Sequence, residues 1–113
     1  MSQRVSKKLT AFDAARPTSA VLMVNLTDPQ LVTVAAFRRA LEERGLPFFH
    51  VLNKSDLVDV RRIDDVVKRI SGDIILASMR TRRSLGEIKR RLAKLPQGSR
   101  IVVLASSIRA SQA

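Results

Sequence analysis

Residues 20–25 read AVLMVN, an uninterrupted apolar run that ends on an amide. Such runs are characteristic of strands buried on both faces of a sheet. Three more follow, at residues 48–52, 73–77 and 100–104. Between them the apolar positions change period. Asp28 followed by Pro29 predicts a helix start, a carboxylate cap with Pro at the first helical position, and this helix runs to about residue 44 and ends at Gly45. Val60, Ile63, Val67 and Ile70 are spaced by three and four, predicting a second helix closed by Ser71-Gly72. Ser84-Leu85-Gly86-Glu87 has the form of a capping box, with Leu85, Ile88, Leu92 and Leu95 as one stripe behind it. Near the N-terminus, Val5, Leu9 and Phe12 form a short helical stripe that Arg16-Pro17-Thr18-Ser19 interrupts.

Apolar strands alternating with amphipathic helices predict a three-layer α/β fold, a four-stranded parallel sheet with right-handed crossovers and helices on both faces. Residues 1–19 form a basic, partly helical N-terminal segment packed on the sheet, residues 20–105 the α/β domain, and residues 106–113 a tail.

Composition narrows the chemistry. The 113 residues suit one domain, and no apolar run reaches the ~18 residues that span a bilayer, so a soluble, cytoplasmic protein without membrane association is expected. The absence of Cys excludes disulfides and thiolate metal sites, and the single His, His50, argues against a His-based metal site or a Ser–His pair. No metal is expected. The formal net charge of +11 is uneven, with +8 of it in residues 58–113. That surplus favours a polyanionic partner, RNA or the ribosome, over a merely solvated basic surface. With four Phe and neither Tyr nor Trp, base stacking is a poor fit, and contact with phosphate backbone or RNA shape is the better one.

The second strand runs into Asn53-Lys54-Ser55-Asp56. Ligands of doubly wound sheets bind at the carboxyl ends of strands. A carboxylate there can accept two donors from guanine, the ring N1–H and the exocyclic amine, a pair that adenine does not offer. The bland alternative is a polar strand end in which Ser55 or Asp56 caps the next turn. The stretch resembles the NKxD base-specificity motif of GTPases, and Leu57 extends the match. Downstream, Ser78-Met79-Arg80-Thr81-Arg82-Arg83-Ser84-Leu85-Gly86-Glu87-Ile88 resembles the SAKTGxGxxEL loop of the same family, with Arg80 for Lys and with Arg82 and Ser84 for the two Gly. Residues 21–29, VLMVNLTDP, look like the VxDARDP segment that opens circularly permuted GTPases, which are typically ribosome-assembly factors.

The resemblance implies that the last strand pairs with the first, giving the order 4-1-2-3, a different flavodoxin-like order being the alternative. It also implies a phosphate loop directly after residue 104. Residues 105–112 read ASSIRASQ, with Ala at both Gly positions of GxxxxGK[ST], Ser111 for Lys and Gln112 for Ser/Thr. Such a loop lacks the glycine turns, the cation and the magnesium-binding hydroxyl. The match covers nearly the whole chain but only the first half of such a domain, so GTP hydrolysis by this chain alone is not expected. The expected function is a non-catalytic, RNA- or ribosome-binding GTPase-like module. The alternative is half of a split or truncated GTP-binding protein, completed by a partner chain that carries the phosphate loop. By the resemblance, Asn53, Lys54, Asp56, Ser78, Met79 and Arg80 would hold GTP or GDP, weakly. Arg80, Arg82, Arg83, Lys89, Arg90, Arg91 and Lys94 gather on one loop and helix at the ligand end of the sheet and are the candidate nucleic-acid contacts.

Overall fold

The computed structural model describes residues 3–70, 72–78, 81, 82 and 84–106. The elements follow as α1 (Gln3–Ala14), β1 (Ser19–Asn25), α2 (Leu31–Glu43), β2 (Phe48–Asn53), a 3-10 turn (Ser55–Leu57), α3 (Val60–Arg69), β3 (Ile74–Leu76), α4 (Leu85–Ala93) and β4 (Ile101–Ala105). The four strands form one parallel sheet in the order β3-β2-β1-β4, the expected order in reverse. Leu22 of β1 stands between His50 of β2 and Leu104 of β4.

Residues opposite one another share a face of the sheet. One face carries Ala20, Leu22, Val24, Leu52 and Leu104, and three helices cover it. α1 contributes Val5, Leu9 and Phe12, α2 contributes Val34, Phe37, Ala40 and Leu41, and α3 contributes Val66. The other face carries Val21, Phe49, Val51 and Ile75 and is covered by Ile88 and Leu92 of α4. The N-terminal stripe is therefore part of the core. Arg44 fastens α1 to the end of α2, donating from Nε to Asp13 Oδ1 at 2.7 Å and from Nη2 to Oδ2 at 2.8 Å.

α2 ends as expected, in a Schellman motif: Gly45 adopts φ +66°, Leu46 N–H donates to Leu41 O, and Gly45 N–H donates to Glu42 O. Its start differs. Asn25 Oδ1 accepts from Thr27 N–H and Thr27 Oγ1, and Asp28 N–H donates to Asn25 O, so residues 25–28 form a turn. Asp28 then accepts from Gln30 Nε2 instead of capping a helix, and the helix begins at Leu31.

α3 is turned from the expected stripe. Val66 and Ile70 are buried and Ile63 is half-buried, whereas Val60 and Val67 are 69% and 37% exposed. Two adjacent valines allow either face, and packing against Val24 and Leu52 selects Val66. Asp59 caps this helix by accepting from Arg61 N–H at 2.8 Å. The capping box at Ser84 does not form. Ser84 lies at φ 62°, outside the extended region a capping residue needs, and makes no side-chain cap hydrogen bond. Glu87 instead approaches Arg91 at 3.8 Å.

Candidate functional site

The carboxyl ends of β1, β2 and β3 are tied together by backbone. Leu26 N–H donates to Asn53 O at 3.1 Å, and Ser55 N–H donates to Ala77 O at 3.2 Å. Lys54 takes a left-handed conformation, φ 64° and ψ 34°, which turns the chain sharply at the end of β2 into the 3-10 turn that carries Asp56. Leu57 N–H closes that turn onto Lys54 O at 3.0 Å.

The two motif loops meet here. Ser78 Oγ donates to Asp56 Oδ1 at 2.7 Å, and Thr81 N–H donates to Ser78 Oγ at 3.1 Å. Ser78 is buried and Asp56 is exposed, so the serine fixes the carboxylate from below while acceptor capacity still faces solvent. A carboxylate held this way can take a pair of donors from a ligand edge.

Two amides stand behind it. Asn25 and Asn53 are register partners at the last positions of β1 and β2. Asn25 Nδ2 and Asn53 Oδ1 are both buried without a hydrogen-bond partner among the described residues. The Asn25 carbonyl builds the 25–28 turn, a role that a strand-ending Asn followed two residues later by Thr signals in the sequence. Ser106, on the neighbouring strand end, is buried and donates from Oγ to Pro29 O at 2.9 Å. Met79, Arg80 and Arg83 lie outside the described residues, as do residues 107–113.

The basic residues do not all gather at the ligand end. α4 returns antiparallel to the strands, so Leu85 is at the carboxyl end and Lys94 lies ~13 Å away along the nine-residue helix. Lys89, Arg90 and Lys94 are exposed and form a strip leading away from the site, with exposed Arg82 near its head. Arg91 differs from them. It pairs with Asp73, approaches Glu87, and lies 5.9 Å from the centre of the Phe49 ring. It fastens α4 to the sheet.

A groove of about 730 Å³ lies elsewhere, between α1 and α2, with Thr10, Asp13, Arg39 and Arg44 in its lining. Among the described residues no cluster of His, Asp or Glu could hold a metal, and no helix is long and apolar enough to cross a membrane. Comparisons of this chain with protein-family models, curated proteins and solved structures find no match.

Proposed function

We propose that this chain is a non-catalytic, GTPase-like module that binds RNA, ribosomal RNA in particular, and retains at most a weak guanine-reading corner. The observation that carries the reading is the hydrogen bond from Ser78 to Asp56, which joins the two motif loops at the carboxyl end of the sheet. The charge supports RNA as the main ligand: a net +11, with Lys89, Arg90 and Lys94 exposed along one helix. A cytoplasmic setting goes with this reading.

Filter binding to structured ribosomal RNA across a salt series tests it. Affinity should fall steeply as salt rises, because each phosphate contact releases counterions. A flat salt dependence, or no binding near 50 mM salt, sinks the proposal. The guanine corner is tested separately by titrating GDP while the Asn53 and Asp56 amides are observed. The expected dissociation constant is no tighter than ~0.1 mM, since phosphate contacts normally supply much of the affinity of such sites.

A further inference from the structure

β4 is an edge strand with a usable edge. Among the described residues it pairs with β1 alone. Ser106 N–H donates to Met23 O, and Arg100 O accepts from Ser19 N–H, so the alternate residues 100, 102, 104 and 106 turn their backbone groups toward β1. Ile101, Val103 and Ala105 therefore turn theirs outward. One of these outward groups is already engaged: the Ala105 carbonyl accepts from Lys8 Nζ at 2.6 Å. A groove of about 320 Å³ runs along this edge, walled by Ala11 and Phe12 of α1 and by Val102 and Leu104 of β4. On the opposite face of the strand, Val103 is 55% exposed.

We propose that the outer edge of β4 is a docking site for an extended strand of a partner protein, apolar at alternate residues and carrying a carboxylate where it meets Lys8. The geometry fits strand addition: the backbone of the incoming strand would pair with Ile101, Val103 and Ala105, and its alternate side chains would lie in the groove and over Val103. Charge selects the partner. Lys8 is partly buried, Arg4 adds a second positive charge beside it, and both depress its pKa. Arg100 stands at the other end of the strand. A carboxylate from the partner would relieve the repulsion at Lys8, whereas a second copy of this chain would bring its own +11. The proposal stands apart from the guanine and RNA readings, since it uses a different edge of the molecule.

The test uses the full chain, labelled with nitrogen-15, and two capped heptapeptides of alternating valine and threonine, one ending in glutamate at both termini and its twin in lysine. The glutamate peptide should shift the amides of Ile101, Val103 and Ala105 and slow the exchange of the Val103 amide. Val103→Pro should abolish this while leaving the β1–β4 pairing intact, because the lost N–H points outward. The lysine twin should bind at least about tenfold more weakly, and Lys8→Glu should reverse that preference. Lys8→Glu also serves as the decisive variant if Val103→Pro does not fold. The proposal is overturned by unperturbed edge amides at about 1 mM peptide, by equal binding of the two peptides, or by undiminished binding to folded Val103→Pro. Shifts of the same amides with protein concentration alone would assign the edge to a second copy and overturn it too.

Discussion

Ser78 Oγ and Asp56 Oδ1 lie 2.7 Å apart although 22 residues separate them in the chain. This bond joins the loop after β3 to the loop after β2. It gives the one exposed carboxylate of the Asn53–Asp56 stretch a defined orientation. Ser78→Ala should remove that orientation and leave the Thr81 N–H without its acceptor. The expected cost is about 1 kcal/mol of stability in denaturant melts. Any preference for GDP over ADP should be lost along with it, as it should in Asp56→Asn. A Ser78→Ala variant that kept an undiminished guanine preference would separate Asp56 from base reading.

The strip on α4 gives a quantitative expectation for RNA. Replacing Lys89, Arg90 and Lys94 together by Glu should weaken binding and reduce the slope of log affinity against log salt by about 2–3, if each contacts one phosphate. Arg91→Ala should behave differently. It loses the Asp73 pair and the packing on Phe49, so the change should appear as lower thermal stability with little change in the salt slope.

His50 predicts an acid-sensitive fold. It is buried on β2, its Nδ1–H donates to the Asp73 carbonyl at 3.2 Å, and among the described residues no acceptor stands by for a proton on Nε2. Burial, reinforced by the charge of Arg38, pushes its pKa down from the usual 6.5 to about 4. Below pH 6.5 the unfolded chain takes up a proton that the folded chain refuses, so stability falls as the pH drops toward about 4 and levels off below that. The full loss is about 3 kcal/mol. Urea melts at pH 7 and pH 4.5 should show most of this difference, and His50→Leu should flatten it.

Phe12 tests whether α1 belongs to the domain. Its side chain is fully buried against the sheet with Phe37 and Leu104. Phe12→Ala should cost about 3–5 kcal/mol, which calorimetry reads as a large drop in Tm. A loss below about 1 kcal/mol would mean that α1 is peripheral.

Gly45 gives a cleaner backbone measurement. A Cβ at this position would meet nothing within 4 Å, yet its φ is +66°. Gly45→Ala should therefore cost about 1 kcal/mol through conformation alone.

The strands and their order were legible in the sequence because continuous apolar runs have few other uses in a chain of this size, and the resemblance supplied the pairing of the last strand with the first. Gly45 announced the end of α2 for an equally local reason. Local rules misled where a competing local or tertiary interaction prevailed. Asp28 bonds the Gln30 side chain within the turn built by Asn25, and α2 begins only at Leu31 with Gln30 at its N-cap. Ser84 is left-handed, so its hydroxyl cannot cap α4.

The sequence by itself determined which residues could make a sheet, which segments had to be helical, and that the molecule carries a large positive charge. It also placed Asn53, Lys54 and Asp56 at a strand's carboxyl end, because strand direction in a parallel sheet follows from the alternation of elements. Only the tertiary structure decided which valine of α3 faces inward, since Val66 and Val67 are equivalent until Val24 and Leu52 are packed against one of them. The same holds for Arg91, whose partners Asp73 and Phe49 lie on other elements, and for the bond that brings Ser78 to Asp56. Contacts between residues far apart in the chain form only when the sheet is assembled, and here those contacts orient the candidate site.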